Sequence, residues 1–140
     1  MTLYLDAAVV VAAFTREPLS AAARAVLEQT GVAVASNWTL VEAVSGFAKK
    51  VRTGELTETE LQVMLGRLDR LEAEHLPVVV LDDAHMRTAL RYTSHARLGL
   101  RAGDALHVAV AASLSATLVT PDIGMADAAR ALGVEVHLLA

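Results

Sequence analysis

Five short runs rich in Val, Leu and Ala alternate with longer stretches of helical periodicity, and this alternation constrains the fold most strongly. The runs predict strands at 3–5, 32–35, 78–81, 117–120 and 134–138. Helices are predicted at 7–14, 20–30, 38–52, from Thr57 onward, from Asp82 or Asp83 to 96, and at 103–114 and 122–132. Strands joined through helices pair in parallel, with helices covering both faces. The sequence therefore predicts an α/β fold, a three-layer α/β/α sandwich with a mainly parallel five-stranded sheet.

The amount of apolar sequence suits one core. Hydrophobic residues make up 54% of the 140 residues, and we find no linker or internal repeat, so residues 1–140 are predicted to form a single domain. Aromatic residues are only 4%, so Ala, Val and Leu must build the core. The absence of cysteine excludes disulfides and thiolate metal sites.

The first residues, MTLYLDAAVVVAAF, do not resemble a signal peptide. They lack a basic start, and Asp6 interrupts the apolar run. No apolar run approaches the roughly 20 residues needed to span a bilayer. We therefore expect a soluble, cytoplasmic protein with no membrane partner.

The net charge of −4 argues against a general nucleic-acid-binding surface, which is usually basic. The negative charge does not exclude an enzyme that binds phosphates through metal cations, because the binding site of such a cation is itself acidic.

Four acidic residues stand at strand ends or near helix starts. Asp6 ends the first strand, and Asp122 lies just past the end of the fourth. Glu42 lies one turn into the helix that follows the second strand, and Asp104 opens the helix before the fourth. If the first and fourth strands are neighbours, these acids meet at the carboxyl edge of the sheet, where α/β folds place their sites.

Each acid taken alone also has a structural explanation. An Asp after a strand often caps the next helix, and a lone Glu on a helix often faces solvent. Asp104 begins an almost wholly apolar helix, where an unpaired carboxylate is costly. Together the four would repel one another unless a cation intervened, and the chain's two lysines, Lys49 and Lys50, are not expected nearby. Oxygen ligands suit Mg²⁺ or Mn²⁺ rather than zinc.

The segments YLDAA, WTLVEA, LRAGDALHVAVA and LVTPDIGMADAARALG resemble the acidic motifs of PIN domains, in the same order and over essentially the whole chain. The size is similar to that of the VapC-like toxins. This resemblance implies a Mg²⁺- or Mn²⁺-dependent endoribonuclease that cuts RNA. It also implies a VapB-like antitoxin that occupies the cleft, and a homodimer.

Carried over by position, the resemblance assigns catalytic and metal-binding roles to Asp6, Glu42, Asp104 and Asp122. Asp127 is a tentative further metal ligand, because it faces either the metal or solvent. One departure from the family is that Ala7 and Ala8 stand where Ser or Thr usually follows the first Asp. A missing hydroxyl there would affect turnover more than metal binding, and Thr120 keeps a hydroxyl near the fourth acid.

Other polar residues have two interpretations each. His107, three residues after Asp104, is interpreted as a hydrogen-bonded core residue rather than a phosphate contact. Asp82 and Asp83 resemble the acidic pair of a phospho-acceptor domain. Such a domain needs a Lys late in the chain to bind the phosphate, and none follows Lys50, so a helix cap is favoured. The helix from Thr57 is either an arm that grips a partner or a core element. Four arginines could guide RNA or form a solvated helix face: Arg87, Arg91, Arg97 and Arg101.

Two alternatives to the ribonuclease hypothesis remain open. One is a catalytically weakened PIN-like module that binds RNA or docks a partner, which Ala7 and Ala8 would favour. The other is a metal-dependent phosphohydrolase on a similar sheet. Its usual DxD pattern is absent, because apolar residues follow Asp6.

Overall fold

The computed structural model describes residues 1–29 and 32–140. Its strands are β1 (Leu3–Leu5), β2 (Ala33–Ser36), β3 (Val78–Val79), β4 (Thr117–Thr120) and β5 (Val136–Leu138). Its helices are α1 (Ala7–Phe14), α2 (Ser20–Glu28), α3 (Asn37–Arg52), α4 (Glu58–Glu74), α5 (Asp83–Ser94), α6 (Ala102–Ser113) and α7 (Ile123–Ala131). A short 3₁₀ turn at Ala96–Leu98 joins α5 to α6.

The five strands form one sheet in the order β3-β2-β1-β4-β5, and every pairing is parallel. This confirms the predicted α/β fold. The order reverses between β1 and β4, because the chain moves outward from β1 through β2 to β3 and then returns to β4 on the other side. A crevice opens at such a reversal, beyond the carboxyl ends of the strands.

Strand β1 shows why the fold has three layers. Leu3 and Leu5 point into an apolar cluster built with α1 to α4, whereas Tyr4 points into a second cluster built with α6 and α7. Successive side chains of a strand face opposite sides of the sheet, so a fully buried strand needs helices on both. All three residues are at most 2% exposed, which confirms the sandwich arrangement.

Polar residues fix where the helices begin, as their positions in the sequence predicted. Asp82 caps α5, which supports the helix-cap interpretation of the Asp82–Asp83 pair. Thr57 and Glu60 form the expected reciprocal capping box at α4. Ser36 forms a similar box with Thr39 and starts α3 one residue earlier than predicted.

Several predicted boundaries shift for local reasons. Strand β3 ends at Val79 instead of residue 81, because the Leu81 amide donates to Asn37 Oδ1 rather than to the sheet. Strand β5 begins at Val136, because the Val134 amide bonds back to Ala129 as α7 ends. Helix α2 ends at Glu28. The predicted end of that helix at Thr30 and Gly31 lies outside the described residues.

The apolar side of α4 belongs to the core. Met64 and Leu68 are buried in the cluster that contains Leu3 and Leu5, and Leu61 and Leu71 pack against it. This supports the core interpretation of the helix. Among the described residues, no helix is long and apolar enough to cross a membrane.

Replacement of Phe47 by Ala should destabilise the fold strongly. Phe47 is fully buried and makes a tilted ring contact with Phe14 at 6.0 Å between centroids. Loss of its ring should lower the free energy of unfolding by about 3–5 kcal/mol, measured by urea denaturation. Val41→Ala on the same helix is the control, because Val41 is 61% exposed and should change stability by less than about 0.5 kcal/mol. Equal effects of the two substitutions would contradict this packing.

Candidate metal centre

Two carboxylates meet where β1 and β4 end. Asp6 follows β1, is buried, and caps α1 through a 3.4 Å contact between its Oδ1 and the Ala8 amide. Asp122 follows β4 and caps α7, accepting a hydrogen bond from the Met125 amide at 2.9 Å. Because β1 and β4 are adjacent and parallel, both acids lie at the crevice left by the reversal of strand order.

The Thr120 hydroxyl links these two segments. Its Oγ1 donates to Asp6 Oδ2 at 2.7 Å and accepts from the Asp122 amide at 3.1 Å. Thr120 is fully buried, so the hydroxyl cannot turn to water instead. It fixes one oxygen of Asp6 and the start of the Asp122 turn at the same time. The sequence indicated a hydroxyl near Asp122, but it did not indicate that this hydroxyl donates its hydrogen bond to Asp6.

Glu42 approaches Asp6 from α3, and a histidine lies between them. His107 Nε2 is 2.5 Å from Glu42 Oε1 and 3.7 Å from Asp6 Oδ1. One ligand atom from each of these three residues lies within 4.8 Å of the others, which is close enough to surround a single ion. Glu42 is half-buried, whereas His107 is fully buried.

The other ring nitrogen of His107 contacts a buried hydroxyl network. Nδ1 is 2.7 Å from the Tyr4 hydroxyl, which also lies 2.8 Å from Ser36 Oγ and 3.2 Å from Thr39 Oγ1. Burial raises the pKa of Tyr4 to about 12, so the phenol keeps its proton at neutral pH. The interpretation of His107 as a hydrogen-bonded core residue is therefore confirmed. Its contact with Glu42 was not predicted, because the residue spacing within α6 does not show which side chains of α3 pack against it.

Asp104 lies in the first turn of α6 and borders the same crevice. Partial burial raises the pKa of this carboxyl, and the nearby charges of Asp122 and Asp6 raise it further. The preceding residue, Gly103, permits the close approach of α3: a Cβ there would lie 3.1 Å from the Trp38 ring. The Trp38 indole also donates to the Gly103 carbonyl at 3.2 Å. These contacts pack α3 against α6, and Glu42 and Asp104 from these two helices border one gap.

The gap opens into a cleft of about 500 Å³. Asp6, Glu42, Asp104 and Asp122 all line it. Lys49 and Lys50 also line the cleft, about two turns along α3 from Glu42. The last turns of α3 bring them there. Lys50 Nζ pairs with Glu17 at 3.3 Å and with Glu55 at 3.0 Å.

Two other predicted groups lie elsewhere. Asp127 is exposed on α7, faces Arg130 at 3.5 Å, and is not among the described residues that line the cleft. The structure therefore does not bring this tentative ligand to the other acids. Arg87 pairs with Asp83 on the exposed side of α5, and none of the four arginines is among the described lining residues. This favours the solvated-face interpretation of the arginines.

The overall fold is similar to that of solved structures. One chain in the crystal structure of VapBC2 from Rickettsia felis bound to a DNA fragment from their promoter superposes with a TM-score of 0.72, at 19% identity over 100% of both chains. DNA-bound VapBC from Salmonella typhimurium gives 0.72 at 21% identity, covering 100% of this chain and 99% of the other. FitAcB from Neisseria gonorrhoeae gives 0.71 at 23% identity over 96% of each. At these identities the likeness shows a shared fold.

A family model supplies the classification. No curated protein matches the chain significantly. The PIN domain model matches residues 3–131, which include β1, β4 and all four acids that line the cleft. PIN domains are in general nucleases that use divalent metals. By this match over most of its length, the chain belongs to the PIN domain family.

Proposed function

We propose that this protein is a metal-dependent endoribonuclease, the VapC-like toxin of a VapBC-type pair. The observation that carries the proposal is the convergence of Asp6, Glu42, Asp104 and Asp122 on one cleft, from four separated segments of a PIN domain. Each of these acids could cap a helix or face solvent by itself. Four of them at one crevice are better explained by a shared divalent cation.

The donor set fits Mg²⁺ or Mn²⁺. The four acids offer carboxylate oxygens, which are the ligands these hard cations prefer. Thr120 engages Asp6 Oδ2, so Oδ1, which lies 3.4 Å from the Ala8 amide and 3.7 Å from His107 Nε2, is the oxygen that Asp6 can offer. When bound, a divalent cation supplies positive charge that activates an attacking water and offsets the charge of the phosphate.

The protein's own residues would position the substrate. Lys49 is exposed on the wall of the cleft, and an ammonium group there can pair with a phosphate on either side of the scissile bond. Lys50 is held by Glu17 and Glu55, so it stabilises the wall itself. The overall charge of −4 makes these local cations and the bound metal the main attraction for a polyanion.

Asp104→Asn should reduce the rate of RNA cleavage by at least about a hundredfold. Loss of a residue that only orients a metal ligand already costs up to about a hundredfold in activity, and loss of the ligand itself should cost at least as much. The assay is cleavage of structured RNAs with and without Mn²⁺. Asp127→Asn is the matched control, since this exposed Asp pairs with Arg130 and should leave the rate within about twofold.

This assay, run beside assays of RNA binding and of small phosphate-ester hydrolysis, separates the proposal from its alternatives. Cleavage that needs no metal, or that survives Asp104→Asn, would contradict the assignment. Metal-independent RNA binding without cleavage would favour the catalytically weakened docking module instead. Hydrolysis of small phosphate esters with intact RNA would favour the phosphohydrolase.

Thr120 is proposed to compensate for the alanines at positions 7 and 8. Thr120→Val removes the hydroxyl that holds Asp6 Oδ2 and leaves the Asp122 amide without its acceptor. We expect the free energy of unfolding to fall by about 1–3 kcal/mol and Mn²⁺ affinity to fall about 10–100-fold. Thr120→Ser, which keeps the hydroxyl, is the control in urea denaturation and Mn²⁺ titration. Equal affinity in the two variants would show that the hydroxyl does not support the site.

The proposed partner is a small VapB-like antitoxin that covers the cleft, and we propose a homodimer for the toxin. Support comes from the similarity in fold to chains of VapBC and FitAcB crystal structures. We expect a neighbouring small open reading frame to encode a DNA-binding protein that copurifies with this chain and suppresses its RNA cleavage at equimolar ratio. Light scattering of the toxin alone tests the dimer. Copurification without suppression would contradict occupation of the cleft.

A further inference from the structure

The cluster that buried Tyr4 and His107 form with half-buried Glu42 has a feature that carboxylate chemistry alone does not explain. A histidine nitrogen, Nε2, faces two of the proposed cation ligands, Glu42 at 2.5 Å and Asp6 at 3.7 Å. Such a nitrogen either carries no hydrogen and can bind a metal itself, or carries a hydrogen and donates it to a carboxylate. The two cases assign different roles to His107.

The partners of His107 decide between them. A carboxylate only accepts hydrogen bonds, so the close contact with Glu42 Oε1 requires the hydrogen to be on Nε2. In a neutral imidazole this leaves Nδ1 as an acceptor, which faces the Tyr4 hydroxyl at 2.7 Å. A phenol can donate to it. The hydrogen bonds at both ring nitrogens therefore agree on one tautomer.

The surrounding hydroxyls agree with the same direction. Thr39 Oγ1 donates its hydrogen to the Leu5 carbonyl, at 3.2 Å. Ser36 Oγ accepts from the Thr39 amide and can give its own hydrogen to the Tyr4 oxygen. The Tyr4 hydrogen is then directed to His107. Among the described residues, no buried side-chain polar atom lacks a partner, so this chain of donors is complete.

We propose that His107 is a positioning residue: its Nε2–H, oriented by Tyr4, holds Glu42 Oε1 and leaves Glu42 Oε2 to the cation, while the imidazole itself binds no metal. This rests on the metal-dependent site proposed above and deepens it. Without the donor, Glu42 keeps three rotatable bonds and is repelled by Asp6, so its carboxylate is no longer held beside the proposed cation position. Groups of this kind usually tune metal affinity by about 10–100-fold.

The direct test is long-range ¹H–¹⁵N NMR of the histidine side chains in the metal-free protein and after addition of Mg²⁺. We expect a hydrogen on His107 Nε2 in both states. A bare Nε2 in the metal-free protein, or loss of the Nε2 hydrogen on addition of Mg²⁺, would overturn the proposal. His85 is an internal reference, since it is also buried and hydrogen-bonded through both nitrogens, at Asp82 and Ser113, outside the cleft lining.

Substitutions test the consequence for metal binding, measured by Mn²⁺ titration with electron paramagnetic resonance. His107→Leu should weaken Mn²⁺ binding about 10–100-fold. His107→Gln, whose amide nitrogen can donate from the position of Nε2, should restore it to within a few-fold of the natural protein. Tyr4→Phe should give an intermediate loss, and His85→Gln should give none. Equal Mn²⁺ affinity in the Leu and Gln variants would overturn the positioning role.

Failure of this inference and failure of the ribonuclease proposal give different results. The NMR measurement needs neither a bound metal nor RNA, so it tests the donor role even if no RNA is cut. If the natural protein binds Mn²⁺ and the variants behave as expected but no RNA is cleaved, the ribonuclease proposal fails and the positioning role stands. If RNA is cleaved and His107→Leu binds Mn²⁺ normally, the positioning role fails alone.

Discussion

The parallel pairing of β1 with β4 is the contact on which the site depends. It places Asp6 and Asp122, distant along the chain, at one crevice. Each acid also caps the helix that follows it, and Asp104 lies in the first turn of α6. Helix N-termini carry partial positive charge, so three of the four acids sit where the backbone tolerates a negative charge. This partial charge offsets only part of the repulsion among the carboxylates, and a bound cation would offset the remainder.

Small residues set how narrow the crevice can be. A Cβ at Gly46 would lie 3.0 Å from Val11, so glycine there lets α3 come close to α1. Gly103 does the same between α6 and Trp38. Helices rich in alanine pack tightly against a sheet, which suits a chain with few aromatic residues. The tight packing brings Glu42, from the helix side, within reach of Asp6 on the strand.

Hydrogen-bonded side chains behind the carboxylates then hold them in place. Thr120 bonds Asp6 from β4, and His107 bonds Glu42 from α6, supported by Tyr4. Thr120, His107 and Tyr4 are buried, so water competes little for their hydrogen atoms and these bonds fix orientation. Ala7 and Ala8 offer Asp6 no hydroxyl, and Thr120 on the neighbouring strand β4 donates one to it. This donor lies near Asp6 only in the folded chain.

The elements, the layers and the four acids could be predicted without the structure, because hydrophobic periodicity, helix caps and short acidic motifs are local signals. It also indicated that His107 is buried. The partners of these groups depend instead on how the helices and strands pack together. Asp127 follows Asp122 by five residues, about 140° around the helix, and faces solvent. Lys49 is an exception, because its place seven residues after Glu42, two turns along the same face of α3, can be read from the sequence. Contacts such as His107 with Glu42 join faces of different helices, and their relative rotation is set by packing of the whole core, which no local pattern encodes.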